Sequence, residues 1–334
     1  MQALRELTTI RVGGFPASLV KPQTSEELIE ACLDVWQSGE DWLILGGGSN
    51  LVPADELPLL NVIKVEIKGI QLDQTPTGAI IRVQAGENWD EFVAHTVAAG
   101  LSGIEAMSGI PGTVGAAPVQ NIGAYGQELS EVLTRLEFLN YETGETELLE
   151  NSQLGFGYRT SVFKQGKLGV ILWAEFKLTQ TAHTHKTERL MEALGPAEET
   201  PLEVRKRVLS LRNQKGMVLN DADTDTWSCG SFFTNPIVSR AFAATMPSEC
   251  PRWDVENEDQ QKLSAAWLIE HSGVGKGFSL GQSNAATSSK HSLAITNRGN
   301  AKASDVVELA KFIQTCVSNR FGINLIPEPN LIGF

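Results

Sequence analysis

The chain has 334 residues, enough for two or three domains and for more than one hydrophobic core. Its 27 Lys and Arg against 40 Asp and Glu give a net charge of −13, which disfavours general nucleic-acid binding but allows a local basic pocket. With 42% hydrophobic residues, no apolar run of roughly 18 residues and no secretion signal at its start, the sequence indicates a globular cytoplasmic protein without a membrane span.

The first third of the chain alternates between helix and strand patterns. The stretch Thr24-Ser-Glu-Glu27 has the form of a capping box, and apolar residues at helical spacing follow it, so a helix is predicted to begin after Thr24. A second helix is predicted over residues 89–97. Strands are predicted for the apolar run 42–45, for the alternating stretch 62–67 and for residues 80–85.

The middle of the chain is richer in glycine. Residues 108–126 carry repeated Gly, almost no charge and no regular period, which predicts ordered loops and turns. Two strand-like runs flank Glu-Thr-Gly-Glu and predict a hairpin. The remaining predictions are strands at 136–141, 146–149 and 169–178, a polar excursion at 179–199 and a helix at 202–211.

The last third ends in a long predicted helix and an extended tail. Ser304 is predicted to cap that helix, which ends at Phe321-Gly322. In the tail, Ile326-Pro-Glu-Pro329 predicts an extended path because each Pro excludes helix at the residue before it. Shorter predicted elements are a helical face at 265–269 and a strand at 292–296.

Four cysteines lie far apart in the sequence, at Cys32, Cys229, Cys250 and Cys316, and no two form a CxxC pair. This spacing disfavours a zinc cluster and a disulfide framework, so we expect a reduced compartment and no metal site. Cys229 lies in a Gly/Ser-rich turn. It is either a reactive thiol or, as is more common, a small space-filling residue.

Glycine-rich loops follow strands at several places. Gly46-Gly-Gly-Ser-Asn50 comes directly after an apolar run, but Leu51 breaks a GxGxxG pattern and no Gly-Lys-Ser/Thr ending makes it a P-loop. Residues 108–115 and 121–126 repeat the same uncharged chemistry. Bare backbone amides in such loops favour one extended ligand with a diphosphate and an aromatic ring. The alternative is tight packing against a sheet.

Three further residues are candidates for chemistry. Arg159 in Gly157-Tyr-Arg159 offers a planar fork for a carboxylate, although a surface salt bridge is the commoner use. Ser231 opens an aromatic turn at 230–236 that an ordinary core strand would also explain. Glu328 stands between two prolines, where a solvated tail glutamate is the usual meaning. No one of the three indicates catalysis by itself.

Together, and in this order, these segments resemble the UDP-N-acetylenolpyruvoylglucosamine reductase family, flavoenzymes of peptidoglycan precursor synthesis. The resemblance covers nearly the whole chain. It implies an α+β fold with a two-part FAD-binding domain of the vanillyl-alcohol-oxidase (PCMH) type and an α+β substrate-binding domain. The implied boundaries are 1–68 for the first FAD-binding part, which the tail 322–334 joins, 69–212 for the second part and 213–321 for the substrate-binding domain.

The resemblance also implies a reaction. The family reduces the enolpyruvyl group of UDP-N-acetylglucosamine enolpyruvate to UDP-N-acetylmuramate, with NADPH as hydride donor and FAD as cofactor. No His lies in the glycine loops, so we expect noncovalent FAD. The implied partners are these small molecules, without nucleic acid or membrane, and we expect a monomer.

Residue roles follow from the same resemblance. Arg159 would pair the substrate carboxylate, Glu328 would stabilise an enol-like intermediate, and Ser231 would deliver a proton to the adjacent carbon. The implied FAD contacts are Leu45, Gly46, Gly47, Gly48, Ser49, Asn50, Leu51, Gly109, Ile110, Pro111, Gly112, Thr113, Gly115, Ala116, Gln120, Asn121, Ile122, Gly123 and Arg159. The implied substrate contacts are Tyr125, Tyr158, Lys215, Asn235, Gln282 and His291.

Two other functions stay open at this point. A different flavin oxidase or dehydrogenase on the same cofactor fold would have no affinity for UDP-sugars. A catalytically idle FAD-binding or regulatory homologue would be expected to have lost Arg159, Ser231 or Glu328, and none of them is lost. The three residues therefore favour the reductase.

Overall fold

The computed structural model describes residues 2–180, 200–255 and 257–334. Of the predicted excursion over 179–199, Thr179 is instead the end of a strand, and 181–199 lies outside the described residues. The helices are α1 (Ser25–Ser38), α2 (Trp89–Ala98), α3 (Pro201–Gln214), α4 (Arg240–Ala243), α5 (Ala265–His271) and α6 (Ala303–Phe321). The strands are β1 (Pro16–Val20), β2 (Trp42–Leu45), β3 (Leu51–Pro53), β4 (Leu57–Lys64), β5 (Ile70–Thr75), β6 (Gly78–Gln84), β7 (Gly123–Ala124), β8 (Gln127–Glu128), β9 (Leu133–Asn140), β10 (Thr146–Glu150), β11 (Gly169–Thr179), β12 (Ile237–Ser239), β13 (Arg252–Asp254), β14 (Gln260–Leu263), β15 (Ala285–Thr287), β16 (Ile295–Asn297) and β17 (Asn330–Ile332).

The chain divides into two compact units. The first unit consists of 16–47 and the described part of 58–213, and the second consists of 2–15, 48–57 and 214–334. Both units contain helices and strands, as an α+β fold requires. The domain boundaries at 68, 212 and 321 stay a prediction.

The first unit contains two larger sheets. One has the strand order β1-β4-β2, and the other is a five-stranded antiparallel sheet with the order β10-β9-β11-β6-β5. Trp89 and Phe92 of α2 pack on Phe176 of β11, and the rings of Phe92 and Phe176 lie 5.1 Å apart. The predicted hairpin is confirmed as β9 and β10, which pair antiparallel.

The second unit has a core built around α6. The apolar face predicted for this helix is buried, and Phe232, Phe233 and Ile295 join the same cluster. Short sheets surround it with the orders β12-β14-β13, β15-β16 and β17-β3. The buried residues of α6 are Ala303, Val306, Val307, Leu309, Ala310, Ile313 and Val317, and they include all five of the predicted face.

A local sequence pattern predicts the N-terminal cap of α1 correctly but not that of α6. The Thr24 hydroxyl accepts the N–H of Glu27, so the predicted capping box of α1 is confirmed. The prediction that Ser304 caps α6 is wrong, because the helix begins at Ala303. Both oxygens of Asp55 accept the first N–H groups of α6, from a residue 248 positions away.

Two strand predictions differ in their bounds. The predicted strand 62–67 is β4, which begins at Leu57 and ends at Lys64. The predicted strand 292–296 is β16, which begins only at Ile295. In both cases the predicted residues outside the strand include buried side chains of a loop, such as Val65, Ile67 and Leu293, so the pattern marks burial and not pairing with a neighbouring strand.

Candidate active site

Two glycine loops of the first unit approach each other closely. β2 ends at the buried Leu45, and Gly46 and Gly47 follow it. A Cβ on Gly47 would lie 2.5 Å from the Cα of Gly112, and a Cβ on Gly46 would lie 2.7 Å from the Thr113 hydroxyl oxygen. Only glycine permits these approaches, so tight packing explains part of this motif.

A cavity of about 200 Å³ lies beside these loops within the first unit. Its lining combines loop residues with apolar side chains. This volume is below the roughly 300 Å³ of a whole small-molecule site, and it suits one ring system of a larger ligand. The residues therefore fit part of a dinucleotide such as FAD. The lining includes Trp42, Ile44, Gly46, Val65, Ala85, Thr113, Gly115, Ala116, Phe138 and Phe163.

The loop that begins at Gly109 is held by charged side chains that sequence reasoning missed. The N–H of Gly109 donates to the Asp90 carboxylate at 2.6 Å, and the guanidinium of the half-buried Arg212 donates to the Gly109 carbonyl at 3.1 Å. Arg205 donates two hydrogen bonds to Asp90. Burial alone would raise the pKa of Asp90, but the hydrogen bonds from Arg205 and Gly109 hold it below its usual value.

A second contact joins the loop 119–123 to the segment that carries Arg159. The Asn121 amide donates to the carbonyl of Gly157 at 3.2 Å, and the Ser161 hydroxyl donates to the carbonyl of Val119 at 2.6 Å. Lys164 donates to the Gln120 side chain at 3.4 Å. These bonds bring the predicted FAD contacts Gln120 to Gly123 together with the predicted catalytic arginine.

Arg159 has an unusual backbone conformation. Its φ is 54°, and Asn121 and Tyr125 are also left-handed, at 44° and 51°. Such conformations cost about 1 kcal/mol or more for residues with a side chain, and they cluster at functional sites. The Arg159 guanidinium donates to the Gly123 carbonyl at 2.9 Å and lies 5.7 Å from the exposed ring of Tyr158.

In the second unit, the chain from Gly48 to Leu51 continues the first glycine motif. The Gly48 carbonyl accepts the N–H of Thr9, and a Cβ on Gly48 would lie 2.0 Å from the Leu7 carbonyl oxygen. Ser49 and Asn50 are half-buried. Leu51 begins β3, which pairs in parallel with β17.

The backbone of the tail that carries Glu328 pairs with the segment that follows Ser231. Phe233 and Pro327 form an antiparallel bridge, and the N–H of Glu328 donates to the carbonyl of Phe232 at 2.9 Å. Glu328 therefore lies opposite Phe232, the residue after Ser231. The predicted tail is free of helix and pairs through Pro327, but the chain bends at Glu328 and Pro329, so the extended path predicted for 326–329 is confirmed only in part.

Cys229 is buried between the chain segments of this site. Its thiol donates to the Leu51 carbonyl at 3.4 Å and is 8% exposed. Burial and the nearby charge of Glu328 raise the pKa of Cys229 to about 12. The thiol stays protonated, so the space-filling alternative holds over the reactive one.

His291 lies near two lysine charges in the second unit. Burial and the charges of Lys215 and Lys276 lower the pKa of His291 to about 4. Lys215 and His291 were expected from the family resemblance, whereas Lys276 was missed. Asn235 accepts the N–H of Ala265 at the start of α5.

Gln282, another predicted substrate contact, lies in an exposed turn. None of the helices in the described ranges has the length and apolar character needed to cross a bilayer. Among those same residues, no group of His, Cys, Asp or Glu is arranged to hold a metal ion.

Residues 16–149 match the model of an FAD binding domain family, and residues 222–332 match that of the UDP-N-acetylenolpyruvoylglucosamine reductase C-terminal domain. A relative from Leifsonia xyli subsp. xyli, named UDP-N-acetylenolpyruvoylglucosamine reductase, is 44% identical over 99% of this chain and 98% of its own length. The chain belongs to the UDP-N-acetylenolpyruvoylglucosamine reductase family. A relative of the same name from Mycolicibacterium gilvum is also 44% identical, over 99% of this chain and 95% of its own.

A solved structure of this reductase family agrees with the assignment. The crystal structure of UDP-N-acetylenolpyruvylglucosamine reductase from Thermus caldophilus matches with a TM-score of 0.69 and 26% identity, over 99% of this chain and 97% of that one. The predicted family is confirmed. The α+β fold class with an FAD-binding domain and the class of FAD-dependent reductase are confirmed as well.

Proposed function

We propose that this chain catalyses the NADPH-dependent reduction of UDP-N-acetylglucosamine enolpyruvate to UDP-N-acetylmuramate in peptidoglycan precursor synthesis. One structural observation carries the proposal beyond family membership. The backbone pairing of the tail with residues 232–234 puts Glu328 beside the Ser231 segment. A proton donor and an acid that stabilises developing charge are the two groups that this reduction requires near one another.

The FAD-binding domain supplies the cofactor site. When bound, FAD provides the hydride that passes from NADPH to the substrate. Gly46, Gly47 and residues 112–116 would hold the cofactor through backbone amides beside the apolar cavity, with residues 48–51 as further contacts. We propose that the binding is noncovalent, and the other FAD contacts named from the sequence stay part of the proposal.

Ser231 would donate the proton to the substrate carbon. A serine hydroxyl is a weak acid in water, so this role depends on fixed placement beside a strongly basic carbon. The fixed backbone of the next residue supports this proposal, because the Phe232 N–H donates to the Leu293 carbonyl and the Phe232 carbonyl accepts from Glu328. Ser231 itself is half-buried, which keeps its hydroxyl close to the protein surface.

Glu328 and Arg159 would stabilise negative charge on the substrate. Glu328 would act as a hydrogen-bond donor to the enol-like intermediate, and a preorganised donor of this kind is worth roughly 3 kcal/mol. Arg159 would pair the substrate carboxylate through its planar guanidinium. Its hydrogen bond to Gly123 fixes that guanidinium before substrate arrives.

The substrate diphosphate would bind near His291. Lys215 and Lys276 supply positive charge there, and the lowering of the His291 pKa by both charges supports this proposal. A neutral imidazole can donate a hydrogen bond to phosphate without adding a third positive charge to those of the two lysines. Tyr125, Tyr158, Asn235 and Gln282 stay proposed substrate contacts.

The oligomeric state, the cellular location and the domain division are further parts of the proposal. We propose a monomer in the cytoplasm whose partners are NADPH and the UDP-sugar. The domain division at 68, 212 and 321 belongs to the same proposal. Sedimentation at micromolar concentration tests the monomer, since a concentration-independent mass of 36.2 kDa is expected and a dimer mass would contradict it.

Purified protein tests the cofactor and the substrate together. We expect about one FAD per chain, all of it released into the supernatant on acid precipitation, and NADPH oxidation that depends on the enolpyruvyl UDP-sugar. Yellow colour retained in the pellet would contradict noncovalent binding. NADPH oxidation that consumes oxygen equally well without the UDP-sugar would instead indicate a flavin oxidase.

A further inference from the structure

Asn50 makes two hydrogen bonds to the tail, one to Glu328 and one to Asn330. Its side-chain amide donates to the main-chain carbonyl of Glu328 at 3.2 Å. Its own main-chain carbonyl accepts the N–H of Asn330 at 3.0 Å. These two bonds join the end of the first glycine motif to the tail, across 278 positions of the sequence.

The backbone of Glu328 is held at both of its polar groups. Its N–H donates to the Phe232 carbonyl, and its carbonyl accepts from the Asn50 side chain. The prolines at 327 and 329 fix their own φ angles, and they offer no N–H with which a ladder could continue. These two bonds hold the main chain that carries the Glu328 side chain, and the bond to its carbonyl comes from the Asn50 side chain.

The buried thiol of Cys229 contacts the residue that follows Asn50. Cys229 donates to the carbonyl of Leu51, the residue that follows Asn50, and burial keeps this thiol protonated. Cys229 also lies on the segment that leads to Ser231. The start of β3 thus contacts the chain before Ser231 and the chain around Glu328.

We propose that Asn50 is a positioning residue for Glu328, and that it couples the glycine motif 46–50 to the step in which the substrate is reduced. This role is separate from any contact of Asn50 with the cofactor, because it uses the side-chain amide toward the tail. It rests on the proposed function of Glu328. A misplaced acid lowers the rate of substrate reduction without affecting how NADPH reduces the flavin.

Anaerobic stopped-flow traces of Asn50→Ala, with FAD added to saturation, separate these two steps. We expect reoxidation of reduced flavin by the enolpyruvyl substrate to slow about tenfold, from the loss of one orienting hydrogen bond. Reduction by NADPH should stay within about twofold of wild type. Equal slowing of both steps would overturn the proposal and leave Asn50 as a cofactor contact alone.

Asn151→Ala is a matched control. Its side chain also donates to main-chain carbonyls, those of Ser130 and Leu133, at 2.9 and 2.8 Å. It belongs to no part of the proposed site, so both half-reactions should stay at wild-type rates. A tenfold loss of reoxidation in this variant would mean that general loosening explains the Asn50 result, and it would overturn the proposal.

A double-mutant cycle with Glu328→Ala distinguishes failure of this inference from failure of the proposed function. If Asn50 acts through Glu328, Asn50→Ala should change reoxidation less than about twofold once the Glu328 side chain is gone. Multiplicative effects would overturn the positioning role alone. Wild-type reoxidation in Glu328→Ala would overturn the role of Glu328 itself.

Hydrogen exchange supplies a readout that does not depend on activity. In the FAD-loaded protein, peptides that cover residues 326–334 should exchange faster in Asn50→Ala than in wild type, because the tail loses a side-chain bond. Peptides that cover α6 should be unchanged. Wild-type protection of the tail in Asn50→Ala would contradict the proposal.

Discussion

The Arg205 guanidinium donates two hydrogen bonds to the Asp90 carboxylate, at 2.5 and 2.9 Å. The same carboxylate accepts the N–H of Gly109 at 2.6 Å, at the start of the second glycine loop. An ion pair between α2 and α3 thus fixes a backbone amide that the proposed cofactor loop needs in place. The paired geometry is the strong form of an arginine–carboxylate contact.

Asp90→Asn should lower the free energy of unfolding by about 2 kcal/mol, because Arg205 loses its charged partner in a partly buried place. The folded state depresses the Asp90 pKa, so this stabilisation is present above the unfolded value near 4 and is lost as the pH falls below it. Urea denaturation at pH 7 measures the loss. The free energy of unfolding of Arg205→Lys should lie between that of wild type and that of Asp90→Asn. Wild-type stability in Asp90→Asn would contradict a stabilising role of the Asp90–Arg205 ion pair.

Gly47→Ala tests the contact between the two glycine loops. The new Cβ would overlap the Gly112 backbone, and the strain of overpacking should weaken FAD binding by about tenfold or more. Gly275→Ala is the matched control, since a Cβ there meets nothing within 4 Å. FAD affinity is read from flavin fluorescence. Equal FAD affinity in Gly47→Ala and Gly275→Ala would show that the two loops accept a Cβ at residue 47 without strain, and it would contradict the prediction.

Ser231→Ala should separate the half-reactions. Reduction of the flavin by NADPH should stay near wild type, because Ser231 serves only the second substrate. Reoxidation by the enolpyruvyl substrate should slow by at least about 10²-fold, as expected when a general acid is lost. Stopped-flow absorbance follows both steps. If NADPH-driven reduction slows as much as reoxidation, Ser231 is not the proton donor.

His291 should make the protein less stable at mildly acidic pH. The folded chain holds it neutral down to a pKa of about 4, whereas the unfolded chain protonates near 6.5. The unfolded state therefore binds more protons as the pH falls through this window, and stability falls with it. Between pH 7 and 5 the loss is up to about 2 kcal/mol for this one residue.

His291→Asn should remove that part of the pH dependence. Urea denaturation at pH 7 and pH 5 gives the difference for each protein. His95→Asn, which changes an exposed histidine on α2, is the control and should keep the wild-type dependence. The same acid sensitivity in His291→Asn as in wild type would show that the imidazole is not held neutral.

Local patterns predicted the elements whose causes are local. The capping box at Thr24, the hairpin after Asn140 and the αL glycine at Gly322 each depend on residues within a few positions of one another. The acceptor of the first two N–H groups of α6 could not be predicted in this way, because it is the distant Asp55. A pattern that reads neighbours along the chain carries no information about such a partner.

The candidate site likewise contains residues that sequence patterns predicted and residues that they missed. Its glycine loops were visible as motifs, and Arg159, Ser231 and Glu328 were found because the ordered set resembled a family. The charged residues that hold the loops were missed, since Asp90, Arg205 and Arg212 match no motif and meet only in the folded chain. Two of them lie about two turns apart on α3, a spacing that also occurs on any solvated helix face.

The central claim is that one flavin on this chain takes reducing equivalents from NADPH and passes them to an enolpyruvyl UDP-sugar. Anaerobic absorbance of the wild-type holoenzyme tests it directly. One equivalent of NADPH should bleach the flavin band, and one equivalent of UDP-N-acetylglucosamine enolpyruvate should then restore it with formation of UDP-N-acetylmuramate. A bleached band that oxygen restores and the UDP-sugar leaves unchanged would contradict the account.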